Sequence, residues 1–251
     1  MDKQLIEQYR YFLKDSVRLA IDFSQTDQSR GIDPPSVEKP FPDESLRIDL
    51  LPKQEWQNIS HIDIVSAFRD RRSHRKFKPK PLDLEELSFL LWATQGVRKK
   101  VGDGTAYRTV PSAGCRHAFE TYLCVLNVSG LDSGIYRYLP LEHQLVLEHK
   151  QDNLRENLVE AALGQSFFGN APVTFIWTAI PYRMEWRYDI AAHKVIAIDA
   201  GHVCQNLYLA CQAIKAGTCA VAAYNQKITD QLLKVDSNDE FAIYMAPVGK
   251  V

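Results

Sequence analysis

The chain has 251 residues, of which 45% are hydrophobic and 24% charged, a composition typical of a folded globular protein and not of a disordered or collagen-like one. Thirty Lys and Arg against 31 Asp and Glu leave a net charge of −1, so no overall positive charge draws the molecule to nucleic acid or anionic lipid. The N-terminus has no leader-like apolar region, no apolar run is long enough to span a membrane, and the five cysteines include no C-x-x-C pair. We therefore expect a cytoplasmic protein with reduced thiols and with no membrane, nucleic-acid or metal partner.

Residues 1–60 are predicted to form an N-terminal helix and a Pro-rich arm. Apolar residues recur every three or four positions through residues 3–23, which predicts an amphipathic helix. Residues 24–42 contain four prolines, which lack a backbone donor and disfavour helix, so this stretch is predicted to be an extended strap. The arm either crosses to a partner subunit or packs on its own subunit, and the sequence leaves both options open.

Residues 61–251 are predicted to form one α+β domain, with helices on both faces of a mostly antiparallel sheet. The predicted helices cover residues 62–68, the stretch from a capping box at Asp83 to Gly96, residues 154–163, and a long helix from Asp199 to Gly217. The predicted strands cover residues 121–128, a hairpin over 134–147, residues 173–180 and residues 241–247.

Three segments are candidates for a ligand-binding or catalytic site, and each could instead have a purely structural role. The basic run 69–78 offers guanidinium and hydroxyl donors suited to a phosphate, although a charge run taken alone is more typical of a solvated surface. The turn at 108–117 contains small residues that allow close approach of a ligand. Residues 199–207 and 217–224 are rich in Ala and Gly, which suits packing against a helix or a flat ring. The fingerprints of dinucleotide folds, P-loops, zincins and serine hydrolases are absent from the sequence.

Taken together and in this order, the segments resemble the FMN-dependent nitroreductase family, and within it the SagB-type (thiazole/oxazole-forming) dehydrogenases. The resemblance runs from about residue 61 to the C-terminus and is carried by LLWATQGV, PSAG followed by RH, GIYRY, and DAGHVCQNLYLA with GTCAVAAY. It implies a nitroreductase-like fold in an intertwined homodimer with one FMN at each subunit interface. It also implies ping-pong electron transfer from NAD(P)H to a small-molecule acceptor.

The resemblance also implies which residues contact the cofactor. The segment that would hold the phosphate, the ribityl chain and the pyrimidine edge of the flavin contains Arg71, Arg72, Ser73 and Arg75. The turn that would reach the flavin from the other subunit consists of Pro111, Ser112, Ala113 and Gly114. Ala222 and Ala223 match the segment whose backbone N–H meets flavin N5, and Lys250 is a further phosphate candidate.

Two departures from the branch bear on activity. A Gly-Ala-Phe stretch of the branch is Ala222-Ala223-Tyr224 here, so a positive backbone angle at residue 222 would be strained. A Lys-Tyr pair of the azoline dehydrogenases is Arg187-Tyr188, and Arg does not release its proton as a general base must. Tyr188 is then either an acid or base, or an aromatic packed beside Trp186.

The sequence leaves three functions open. They are an NAD(P)H-linked oxidoreductase, a peptide azoline dehydrogenase with a cyclodehydratase partner, and a flavin-binding protein without turnover.

Overall fold

The computed structural model describes residues 2–251, and a seven-stranded sheet organises them. The order across this sheet is β1-β6-β5-β4-β7-β9-β8, and each neighbouring pair is antiparallel. A separate two-stranded hairpin is formed by β2 and β3. The strands are β1 (Arg47–Asp49), β2 (Val97–Gly102), β3 (Thr105–Arg108), β4 (Phe119–Val125), β5 (Gly134–Leu139), β6 (Gln144–His149), β7 (Val173–Ala179), β8 (Ala216–Thr218) and β9 (Phe241–Lys250).

Helices cover both faces of the sheet, as the sequence predicts for an α+β domain. They are α1 (Lys3–Leu13), α2 (Ile64–Asp70), α3 (Leu84–Gln95), α4 (Leu154–Ala161), α5 (Phe167–Asn170), α6 (Tyr182–Tyr188), α7 (Ala192–Ala213) and α8 (Gln226–Leu233). Successive residues of β4 point to opposite faces, so Leu123 packs with α3 and α7 while Tyr122 packs with α4 and α8. Both faces are therefore apolar, which explains why β4 and β7 are buried along their whole length.

The long helix α7 begins at Ala192, so the predicted start at Asp199 is wrong. Asp199 lies within the helix, is buried, and accepts a hydrogen bond from the backbone N–H of Ala113. Its carboxylate serves a tertiary contact and does not cap a helix. The predicted end at Gly217 is also wrong, because α7 ends at Ala213 and Gly217 lies in β8.

The capping box that starts α3 is confirmed. The backbone N–H of Glu86 donates to Asp83 at 2.8 Å, and the backbone N–H of Asp83 donates to the Glu86 carboxylate at 3.1 Å. Each residue accepts a hydrogen bond from the backbone N–H of the other, so the capping-box pattern predicts the start of the helix without help from the rest of the fold.

The N-terminal helix is shorter than predicted, because α1 ends at Leu13 and residues 15–20 form a 3-10 turn after an extended Lys14. The strap that follows packs on its own subunit. The backbone N–H of Lys39 donates to Glu120, and the guanidinium of Arg137 donates to the carbonyl of Lys39. Glu120 is buried and also binds Arg183 at 2.5 Å, so the strap is held by a buried charge network.

Other boundaries shift by a few residues. The strand predicted over 121–128 lies at Phe119–Val125, and the last strand continues to Lys250. The sequence analysis misses β2, whose side chains are mostly exposed and polar and give no alternating pattern. The boundary between an arm and a domain at residue 60 stays a prediction.

The five cysteines are free, and four of them are buried. No helix within residues 2–251 is long and apolar enough to cross a bilayer. In the same part of the chain no group of three or more His, Cys, Asp or Glu is placed to hold a metal ion.

Candidate functional site

The basic segment follows α2 and runs beside the edge strand β8. The backbone N–H of His74 donates to the carbonyl of Thr218 at 2.9 Å, and Ser73 forms a parallel bridge with Thr218. The guanidinium groups of Arg71, Arg72 and Arg75 form no salt bridge and no side-chain hydrogen bond with residues 2–251. By contrast, the nearby Arg69 is paired with Asp70 at 2.8 Å. Arg71, Arg72 and Arg75 therefore have no carboxylate of the described chain at salt-bridge distance, so their N–H donors are open to an anion.

Tyr208 on α7 connects this segment to the chain that follows β8. Its hydroxyl accepts a hydrogen bond from the backbone N–H of Ala220 at 2.8 Å and lies 3.0 Å from the hydroxyl of Ser73. The guanidinium carbon of Arg71 lies 5.2 Å from the centre of the Tyr208 ring, a cation–π distance. The sequence analysis missed Tyr208. The available signal is a tyrosine on the long helix whose neighbours one turn away include Cys204 and Cys211, where a half-buried phenolic hydroxyl needs partners.

The segment containing Ala222 and Ala223 offers free backbone donors. Val221 exchanges two hydrogen bonds with Met245, at 2.8 and 3.1 Å, and fixes the start of the segment to β9. Beyond it, Ala222 and Ala223 are exposed, and their backbone N–H groups donate to no acceptor in residues 2–251. Neither residue has a positive φ, so the strained angle expected at Ala222 is not present.

The turn at Pro111–Gly114 is held at its base by buried polar contacts. The hydroxyl of Ser112 accepts from the backbone N–H of His117 at 3.0 Å, and the backbone N–H of Ala113 donates to Asp199 at 3.2 Å. Burial raises the pKa of the Asp199 carboxyl. Gly114 has a φ of +57°, which favours glycine because it has no Cβ. Pro111 and Gly114 are therefore exposed on a turn that the hydrogen bonds of Ser112 and Ala113 hold in place.

Arg187 and Tyr188 lie at the end of α6, against this turn. A Cβ added to Gly114 would lie 2.5 Å from the Tyr188 hydroxyl oxygen and 3.1 Å from Nε of Arg187. The guanidinium carbon of Arg187 lies 5.5 Å from the Tyr188 ring centre. Trp186 is buried and donates its ring N–H to the carbonyl of Ile32. The structure thus brings Tyr188 to the turn, and its hydroxyl is a neighbour of Gly114.

His117, which follows the turn, is buried beside positive charges that disfavour its protonated form. Burial, with Arg108 nearby, lowers the pKa of His117 to about 2. His117 is therefore neutral at ordinary pH, and its imidazole cannot act as a charged acid there. Burial also lowers the pKa of Arg116, and the positive charges of Arg187 and Arg183 act in the same direction.

Lys250 is not joined to the basic segment by any of its side-chain contacts. Its ammonium pairs with Glu86 and donates to the carbonyl of Ile214 at 2.7 Å, just beyond the end of α7. The role of Lys250 in phosphate binding stays a prediction.

The predicted site residues other than Lys250 thus form two groups at different positions along α7. Asp199 anchors the turn group, comprising residues 111–114 with Arg187 and Tyr188. Tyr208 anchors the basic group, comprising residues 71–75 and 220–223. The nine positions from Asp199 to Tyr208 span about 13 Å along a helix axis. No hydrogen bond or salt bridge within residues 2–251 links the two groups directly.

Comparison with known proteins identifies the family. The family model described as "Nitroreductase family" matches residues 68–250, which is most of the chain. The chain belongs to the nitroreductase family. A protein of Methanocaldococcus jannaschii named as a nitroreductase is 33% identical over 193 residues, which cover 77% of this chain and 93% of that protein. Members of this family generally bind FMN and are typically dimeric.

Two further relatives of this nitroreductase are informative. A crystal structure from Ralstonia eutropha JMP134, also named as a nitroreductase, superposes with a TM-score of 0.67 at 26% identity and covers 86% of this chain and 97% of that one. The trifolitoxin-processing protein TfxB of Rhizobium leguminosarum bv. trifolii is 28% identical over 141 residues. That match covers 54% of this chain and 38% of TfxB.

Proposed function

We propose that this nitroreductase is an FMN-dependent, homodimeric oxidoreductase that passes electrons from NAD(P)H to a small-molecule acceptor. When bound, FMN supplies the two-electron redox chemistry. The observation that carries the proposal is the pairing of two features. The guanidinium groups of the basic segment have no carboxylate partner within residues 2–251, and beside them the backbone N–H groups of Ala222 and Ala223 are exposed and free.

The basic group fits the phosphate end of FMN. Arg71 and Arg72 offer guanidinium forks that match phosphate oxygens, and the hydroxyl of the next residue, Ser73, is a further donor. One such cluster, without a glycine-rich pyrophosphate motif, suits a cofactor with a single phosphate. We therefore assign FMN and not FAD.

Arg75 is assigned to the pyrimidine edge of the flavin. It is exposed and lies near the Cys219 thiol, at the start of the segment that leads to Ala222. Burial raises the pKa of Cys219, while the positive charge of Arg75 acts in the opposite direction. A cation at this edge stabilises the negative charge that the ring gains on reduction, and so raises the flavin reduction potential.

The turn group is assigned to the partner subunit's flavin site. Within one chain the two groups are anchored about 13 Å apart along α7, and no hydrogen bond or salt bridge within residues 2–251 joins them, so we infer that a second copy supplies the turn. The surface of α2 next to the basic segment supports this assignment. Ile64, Val65 and Phe68 are 57%, 65% and 58% exposed, an apolar patch of the kind that subunit contacts cover. A cavity of about 690 Å³ lies beside it, between α2, α3 and α7.

Arg187 and Tyr188 are assigned to the substrate side of the site. Arg187 keeps its proton at ordinary pH, so it can orient a substrate or offset negative charge but cannot act as a base. The Tyr188 hydroxyl carries a proton that can be donated. Its position against Gly114 would place it beside the flavin of the other subunit.

A peptide azoline dehydrogenase is the second candidate. The similarity to TfxB, which is named as a trifolitoxin-processing protein, favours it. Arg187 in place of a lysine argues against it, because the base that azoline oxidation would use is missing.

The test is anaerobic mixing of the FMN-loaded protein with NADH, with NADPH and, separately, with a thiazoline-containing peptide. The proposal expects loss of the visible flavin absorbance with at least one nucleotide, and its return when a quinone or nitroaromatic acceptor is added. Bleaching by the peptide and by neither nucleotide would support the azoline dehydrogenase. Tight FMN binding without bleaching by any of the three would show a flavin-binding protein without turnover.

A further inference from the structure

Tyr208 lies where the two parts of the basic group meet. Its hydroxyl oxygen accepts from the backbone N–H of Ala220, which belongs to the ring-side segment, at 2.8 Å. The same oxygen is 3.0 Å from Ser73 Oγ, which belongs to the phosphate-side segment. Residues 73 and 220 are far apart in sequence, and this hydroxyl is hydrogen-bonded to both of them.

The hydrogen atoms of this arrangement leave one donor free. Tyr208 and Ser73 each carry one hydroxyl proton, and one of the two is used in the bond between them. The Ala220 N–H occupies an acceptor position on Tyr208, so the second hydroxyl proton is used in neither of these two bonds. The Ser73 hydroxyl also lies within hydrogen-bond reach of the Cys219 thiol, so this proton can go to that thiol or to a ligand oxygen while the pair holds the two chain segments together.

The ring of Tyr208 acts on Arg71 in a second way. The guanidinium carbon lies 5.2 Å from the ring centre, and Arg71 forms no salt bridge with residues 2–251. A cation held over an aromatic face keeps its charge and its N–H donors, whereas a carboxylate partner would neutralise the charge and use the donors. Tyr208 thus orients Arg71 without removing its capacity to bind an anion.

We propose that Tyr208 is a positioning residue that sets the spacing between the phosphate-side contacts of Arg71 and Ser73 and the ring-side contacts of residues 220–223. The proposal rests on the proposed function, because it takes the ligand to be FMN. A cofactor that is held at its phosphate by one segment and at its ring by the other is bound in one conformation only if the two segments keep one spacing. The Tyr208 hydroxyl adds a side-chain contact that couples them, next to the backbone contacts of Ser73 and His74 with Thr218.

Tyr208→Phe tests the proposal, because it removes the hydroxyl and keeps the ring. FMN affinity should fall about tenfold, as expected when two hydrogen bonds are lost. The visible circular dichroism of bound FMN at saturation should also change, which a loss of stability alone would not produce. Tyr136→Phe is the matched control. It removes a hydroxyl that donates to the carbonyl of Asp132 in another part of the sheet, and it should leave both readouts unchanged.

A double-mutant cycle with Ser73→Ala identifies the route of the effect. If Tyr208 acts through Ser73, Tyr208→Phe should weaken FMN binding less in the Ser73→Ala background than in the wild type. An equal effect in the two backgrounds, or none in either, would overturn the proposal. Should Tyr208→Phe fail to fold, Ser73→Ala tests the same bond from its exposed end, and an unchanged visible dichroism would overturn the proposal as well. Absence of FMN binding by the wild type would instead contradict the proposed function itself.

Discussion

The backbone N–H of Ala113 donates to the buried carboxylate of Asp199 at 3.2 Å, and this bond ties the turn at residues 111–114 to the first half of α7. Nine positions later on the same helix, Tyr208 holds the basic segment through Ser73. A rigid helix therefore sets the distance between the two groups. In the proposed dimer, each flavin site takes its basic group from one copy and its turn group from the other.

Gly114→Ala should damage the site more than an ordinary glycine substitution. An added Cβ would meet the Tyr188 hydroxyl at 2.5 Å, at a φ of +57°. Gly130→Ala is the control, because Gly130 has a φ of +86° and open space around it. Both variants should lose about 1–2 kcal/mol of unfolding free energy from the left-handed backbone. Only Gly114→Ala should lower turnover, by about tenfold or more. If the two variants have equal activity, the close approach of Gly114 and Tyr188 does not matter for turnover.

Arg71 and Arg75 should differ in what their removal changes. Arg71→Ala should weaken FMN binding and leave the reduction potential nearly unchanged, because the phosphate charge is constant through turnover. Arg75→Ala should lower the potential and slow reduction, with less effect on binding of oxidised FMN. A charged hydrogen bond is worth about 1.5–3 kcal/mol, roughly ten- to a hundredfold in the affected equilibrium.

The control for these two variants is Arg69→Ala. Arg69 is exposed in the same run but already paired with Asp70, so its removal should change neither quantity. Redox titration and FMN titration of the three variants decide the roles. Equal shifts in potential for Arg71→Ala and Arg75→Ala would argue against the assignment.

Tyr188→Phe should separate proton transfer from cofactor binding. Loss of the hydroxyl should lower kcat about a hundredfold if Tyr188 donates a proton in the rate-limiting step. FMN affinity in the same variant should stay within about twofold of the wild type, because the ring is retained. Steady-state kinetics with the acceptor that the wild type reduces best provides the measurement. An unchanged kcat would assign Tyr188 to packing.

Stability should depend on pH through Glu38, which lies in the strap. Burial raises the pKa of its carboxyl to about 7, and Glu142 and Glu120 act in the same direction. Because the folded pKa lies above the unfolded one, this group favours folding most below the unfolded value, and the contribution is lost as pH rises through about 7. The shift corresponds to about 3 kcal/mol at most.

Glu38→Gln should therefore raise the free energy of unfolding at about pH 9 and change it little at about pH 5. Glu44→Gln is the control, because Glu44 is an exposed carboxylate nearby in sequence and is not among the charges that shift the pKa of Glu38. Urea unfolding at both pH values provides the measurement. If Glu38→Gln changes the free energy of unfolding by the same amount at the two pH values, titration of Glu38 is not the cause.

Local signals in the sequence predict local structure well, and tertiary contacts explain where they fail. The capping box at Asp83 and Glu86 is visible because both partners lie within one turn. Asp199 looks like a helix cap, yet its partner is Ala113, which no local pattern reveals. Tyr208 escapes notice for the same reason, since Ser73 is distant in sequence. The predicted site residues other than Lys250 fall into two groups, which the proposed dimer would bring together.

The identity of the cofactor tests the account most directly. The purified protein, reconstituted with a mixture of FMN and FAD and freed of excess, should be yellow. Its denatured supernatant should release FMN on chromatography, close to one per chain. Release of FAD, or of no flavin at all, would contradict the assignment of the basic segment to a single phosphate.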